Sequence, residues 1–195
     1  MKNTLKTASL FAALSLTLLG LAPAQKMDGM SMPGMTHSAQ ENKDLAKLSG
    51  KAFDRAFLSM MIAHHQGAID MSKAVVNNVK DTQVKTWTKD VISAQQKEIS
   101  DMTTWLGTLG GVDKTWQTGM AKEMDGMLKA LKANKDTDAG FVLGMLPHHA
   151  SAIEMAALAL QKSSDARVTK LAREIIRDQA DEMYLYRQWL IKRGM

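Results

Sequence analysis

Two stretches decide how this chain folds: Phe57-Leu-Ser-Met-Met-Ile-Ala-His-His-Gln-Gly-Ala-Ile-Asp-Met71 and Phe141-Val-Leu-Gly-Met-Leu-Pro-His-His-Ala-Ser-Ala-Ile-Glu-Met155. They stand 84 residues apart and pair Phe57 with Phe141, Met61 with Met145, His64 with His148, His65 with His149 and Met71 with Met155. Worked outward at the same offset, the match runs without gaps over 54–110 and 138–194. It takes in Asp54/Asp138, Ala68/Ala152, Ile69/Ile153, Val84/Val168, Ile92/Ile176, Gln95/Gln179, Glu98/Glu182, Trp105/Trp189 and Gly110/Gly194, and 16 of 57 positions are identical. Self-similarity at a fixed offset marks one supersecondary unit used twice.

Each unit reads as a helical hairpin. The first helix is expected over about 51–79 and the second over about 82–109, with Asn77-Asn78 and Asp81-Thr82 supplying the turn and the next N-cap. Val84, Trp87, Val91, Glu98, Met102 and Trp105 recur at i+3/i+4 spacing, an amphipathic stripe along the second helix. In the second unit Ser163-Ser164-Asp165 separates the equivalent helices. The connector Gly110–Asp136 carries Trp116, Met120, Met124, Met127 and Leu131 along one side and reads as a shorter helix. No stretch alternates with period two, so no sheet is expected. The fold class is therefore all-α, a duplicated helical hairpin forming an antiparallel four-helix bundle over 43–195, with a short connecting helix.

The first residues have another character. Lys2 and Lys6 precede an apolar run from Ala8 to Leu21, and Ala22-Pro23-Ala24 follows as a small-x-small cleavage site. Residues 1–24 thus read as a secretory signal peptide, too short for a membrane span, and the mature chain is expected to start at Gln25 and to work in the periplasm or outside the cell. Removing that segment takes the formal charge from +5 to +3. The remaining charges alternate along the helices, a solvated surface and not a footprint for nucleic acid. The chain has no cysteine. An exported protein of this kind has neither disulfide nor thiolate site, and soft-metal chemistry falls to methionine, of which there are 16.

The chemistry sits on the repeat. Residues on a helix turn by about 100° and rise about 1.5 Å each, so Met61 lies one turn before His64 and His65 on their side of the helix. Met145 stands in the same relation to His148 and His149. Met71 and Met155 lie about 10 Å further along nearly the same line. A lone histidine on an apolar face is ordinarily a satisfied core residue, and methionine is a common gap-filler. Four buried imidazoles, however, need four sets of polar partners, and nothing in packing demands the His-His pair with Met at minus three twice over. Met61, His64, His65, Met71, Met145, His148, His149 and Met155 are accordingly the candidate metal ligands. Pro147, which has Ala63 as its counterpart, is expected to bend its helix just before His148.

Residues 25–42 read as a flexible, methionine-rich tail with Met27, Met30, Met32, Met35 and His37 as further ligands. Thioethers are soft and neutral, which suits Cu(I), and imidazole suits Cu(I) and Cu(II) alike. Glu98 and Glu182 fall where the stripe would bury them. A buried carboxylate needs a partner, and the facing histidines or a Lys or Arg across the bundle are expected ahead of a metal. A di-iron site on such a bundle would use Glu-x-x-His, and here Met61 and Met145 stand where that Glu would be.

The two stretches resemble the signature of the domain of unknown function 305 family, which is similar to Met-Ile-Pro-His-His-Gln-x-Ala-Ile-x-Met. The resemblance covers about 45–195 and departs at Ala63, where the signature has Pro, and at Ala150-Ser151. It implies a ferritin-like helical bundle, exported, and a role in periplasmic copper binding or copper resistance. The residues and the resemblance together lead to a copper-sequestering or copper-shuttling protein that is not an enzyme, with Cu(I) favoured over Cu(II). The partners in view are metal ions, a copper donor or acceptor protein and a second copy of the chain, with no membrane after signal cleavage. The rival readings are a di-metal oxidase that uses Glu98 and Glu182, and a metal-free interaction module that binds a partner helix.

Overall fold

The computed structural model describes residues 35–195, with side chains from Gln40 onward. Among the described residues six helices follow one another: α1 Met35–Leu45, α2 Gly50–Val75, α3 Thr82–Thr108, α4 Lys114–Ala133, α5 Thr137–Lys162 and α6 Ala166–Lys192. There is no strand among the described residues. The hairpins α2–α3 and α5–α6 are the two copies of the repeat and form the bundle, with α4 as the connecting helix. No described helix is long and apolar enough to cross a membrane.

Aspartates start α3, α4, α5 and α6. Asp81, Asp113, Asp136 and Asp165 each take the N-cap of the next helix and accept hydrogen bonds from backbone N–H groups of its first turn, which have no partner inside the helix. Between α3 and α4 the chain reverses through Gly110 and Gly111 at φ of 95° and 80°, a region that costs a side chain dearly. α5 runs on through Pro147.

The hairpins lie head to tail, the open end of each beside the turn of the other. At the start of α5, Asp138 Oδ1 accepts from the N–H groups of Lys80 and Asp81 in the first hairpin's turn, at 2.9 and 3.2 Å. Its repeat mate Asp54 meets Ser163 in the second hairpin's turn, where burial pushes its carboxyl up and the Ser163 hydrogen bond opposes that. Near the end of α6, Trp189 Nε1 donates to Asp81 Oδ2 at 3.0 Å. Trp105, near the end of α3, lies under the Arg167 guanidinium at the start of α6.

α2 is buried on almost every side because α3, α4 and α5 all pack along it. α4 contributes Met120, Met124, Met127 and Leu131 to the core, with Trp116 half-buried. At Gly67 a Cβ would stand 2.5 Å from Met124 Cγ, so the absence of a side chain lets α4 approach. Helix α1 begins within the segment expected to be a flexible tail over 25–42 and packs on α5 and α2, with Leu45 wholly buried. That expectation missed the helix because Met35-Thr-His-Ser-Ala-Gln-Glu-Asn carries no apolar periodicity. Residues 1–34, with the expected signal peptide and most of the tail, lie outside the described residues.

Candidate metal centre

α2 and α5 pack against each other at mid-length, and both His-His pairs sit there. Their four rings form a row, His65, His64, His148 and His149, with centroid separations of 6.1, 3.8 and 5.8 Å. The two hairpins meet between His64 and His148. All four side chains are wholly buried. Met61 and Met145 are wholly buried as well, and Met71 and Met155 nearly so.

Each Nε2 has a partner. His64 Nε2 lies 2.8 Å from Ser151 Oγ, and His148 Nε2 lies 3.1 Å from the His64 backbone oxygen. His65 Nε2 lies 2.6 Å from Glu98 Oε2, and His149 Nε2 lies 2.5 Å from Glu182 Oε2. The two glutamates thus pair with the facing histidines, as the sequence reading ranked first. Every Nδ1 of the four is buried without a hydrogen-bond partner. Such an atom in a low-dielectric interior is costly. Burial holds the His64 and His148 imidazoles well below their usual range, and neighbouring imidazoles add to the effect. Burial thus favours the neutral form of both rings.

The two halves are not copies in detail. Met60, Gly67 and Met102 in the first half have Gly144, Ser151 and Tyr186 as counterparts in the second. Ser151 binds His64 across the seam, while Gly67 admits Met124. The Tyr186 ring lies 5.5 Å from that of His149; its hydroxyl is buried without a partner, and burial pushes that group's pKa up. Sequence reasoning missed Ser151 because its role depends on how α5 docks on α2. Asp70 hydrogen-bonds Gln66 at the surface, and Glu154 is exposed, both away from the histidine row.

Among the described residues no three His, Asp or Glu side chains are gathered to hold one ion. Thioethers are thus needed to complete any ligand set here. Of the tail ligands, Met35 and His37 fall on α1 with their side chains outside the described set, and Met27, Met30 and Met32 lie outside it altogether.

Solved structures with this fold include CopM in a Cu(II)-bound form, 30% identical, with 70% of this chain and 95% of that one covered and a TM-score of 0.60. CopM in a Cu(I)-bound form is 29% identical, covers 71% and 96%, and scores 0.61. A DUF305 protein of Streptomyces coelicolor is 26% identical over 72% and 93% of the two chains, with a TM-score of 0.64. Protein L153 of Acanthamoeba polyphaga mimivirus is 45% identical over 53 residues, 27% of this chain. That match spans 35% of the mimivirus protein's length. The family model described as Domain of unknown function (DUF305) matches residues 17–106 and 138–195, so it takes in nearly all of the first repeat, the whole of the second and both His-His pairs, and the chain belongs to that family.

Proposed function

We propose that the protein binds copper ions as cargo, outside the cytoplasm, and sequesters or passes them on. The observation that carries the reading is the row of four buried imidazoles, each with Nε2 engaged and Nδ1 unpartnered. His64, His65, His148 and His149 are the imidazole ligands in this reading. Met61, Met71, Met145 and Met155, on the same two helices, supply thioethers. Imidazole with thioether and no thiolate is a donor set for copper, with Cu(I) favoured by the sulfurs and Cu(II) accepted by the nitrogens. The Cu(I)- and Cu(II)-bound forms of CopM support the choice of metal. Met27, Met30, Met32, Met35 and His37 are proposed to capture the ion or hand it to a partner protein, and the sequence of residues 1–24 supports export. The engagement of Glu98 and Glu182 by histidines favours this reading over a di-metal oxidase, whose hard carboxylate cluster is not gathered among the described residues.

Competition titration of Gln25–Met195 against a chromophoric Cu(I) chelator, with Fe(II) and Zn(II) in parallel, tests it. Tight uptake of Cu(I), lost when all four histidines are replaced by alanine, is expected. A preference for Fe(II) with oxygen consumption, or copper uptake unchanged in the four-histidine variant, would defeat it.

A further inference from the structure

The partners of the four histidines differ in what they can donate, and that fixes where each ring's proton sits. A neutral imidazole carries one N–H and one lone pair. A carboxylate only accepts, so the Nε2 atoms facing Glu98 and Glu182 are the protonated ones. A backbone carbonyl only accepts, so His148 donates from Nε2 to the His64 oxygen. The Ser151 hydroxyl has one proton and donates it to the His148 backbone oxygen at 2.8 Å, so toward His64 it accepts. In its neutral form each ring then holds the proton on Nε2 and leaves a bare lone pair on the buried Nδ1, which no donor meets among the described residues.

We propose that Glu98 and Glu182 are positioning residues: they lock His65 and His149 in the Nε2–H form, aim Nδ1 at the ion, and set how strongly those rings bind it. The inference rests on the copper reading above. A histidine ligand generally donates its other N–H to a carboxylate or carbonyl, which fixes tautomer and ring orientation and raises the ring's basicity. The row contains two classes of such backing. The outer rings, His65 and His149, have carboxylates at equivalent places in the repeat. The inner rings, His64 and His148, have a hydroxyl and a carbonyl. Negative charge passed through the outer rings attracts a divalent ion more than a monovalent one. Glu98 and Glu182 therefore support Cu(II) more than Cu(I).

Long-range 1H–15N NMR of the metal-free protein at neutral pH reads the tautomers directly, and Cu(II) and Cu(I) titrations of E98Q/E182Q read the consequence. The glutamine oxygen can still accept from Nε2–H while the charge is gone. Wild-type His65 and His149 are expected as Nε2–H, and E98Q/E182Q is expected to lose about 10–100-fold in Cu(II) affinity with a smaller loss for Cu(I). An Nδ1–H or doubly protonated His65 or His149, a Cu(II) affinity unchanged in the variant, or equal losses for both ions would overturn the proposal. If the double variant does not fold, E98Q and E182Q singly give the same readouts. A wild-type protein that binds no copper would refute the cargo reading, while the metal-free NMR spectrum still decides the tautomers.

Discussion

His64 and His148 are bases kept neutral by burial, and that has a sign in pH. Unfolded, each titrates near 6.5; folded, each takes its proton only at much lower pH. The unfolded chain therefore binds more protons as pH falls below 6.5, and the contribution of these groups, fully present above 6.5, is lost on acidification at up to about 1.4 kcal/mol per pH unit each. Thermal unfolding of the metal-free protein from pH 7.5 to 5 should show it, and H64F/H148F should flatten the profile. Glu123 on α4 acts the other way. Burial and then the Glu41 carboxylate raise its pKa to about 7. A raised acid contributes stability that is full below its unfolded value and lost as pH rises through the folded one. E123Q should raise Tm at pH 8 and leave it unchanged at pH 4.5, measured by circular dichroism. At Gly67 the conflict is steric: G67A puts a Cβ against both Met124 Cβ and Cγ. The expected cost is about 1–3 kcal/mol, less any gain in helix propensity, and much of it should vanish in G67A/M124G, which removes both atoms, in a urea-unfolding double-mutant cycle.

The elements are held by their ends. Replacing Asp138 by alanine would strand the N–H groups of Lys80 and Asp81, at about 1–3 kcal/mol by urea denaturation. Helix positions were legible because caps and periodicity agree: Asp81, Asp136 and Asp165 precede apolar stripes, and the second helix expected over 82–109 is found as Thr82–Thr108. The first helix stops at Val75 and not near Val79, because Asn77 and Asn78 already belong to the turn. The stripe on α4 was legible too, but not its place along α2, which Gly67 permits and which no local pattern announces. α1 was not legible, since its pairing with α5 is tertiary and its own sequence is polar.

At the scale of the molecule, the histidines stood out because the repeat brings them up twice. Their partners at Nε2 did not all do so. Glu98 and Glu182 could be placed beside the apolar stripe from spacing alone, although they lie at its edge and are not buried as expected, whereas Ser151 reaches His64 only through the docking of one hairpin on the other. The repeat differs at Gly67/Ser151 and Met102/Tyr186, so Ser151 backs the inner ring His64 with no equivalent for His148, and Tyr186 stands beside the outer ring His149 where the first half has Met102. A ligand that binds only the folded chain stabilises it by mass action, about 2.7 kcal/mol at a free concentration of one hundred times Kd. Copper added at that level should raise the unfolding temperature of the wild type by several degrees and leave the four-histidine alanine variant unmoved, by scanning calorimetry.

The complete burial of the row has a kinetic side. Solvent reaches the partners of the row, the Glu98 and Glu182 carboxylates at 22% and 30% exposure and the half-buried Ser151, but not the rings themselves. An ion at His64 and His148 would be gripped by two separate hairpins, so its departure must wait for the seam between them to breathe. If the protein carries copper as proposed, how long the ion stays would be governed by the opening rate of the polypeptide as well as by bond strength, and a change that merely loosens the hairpins would quicken delivery without touching a ligand.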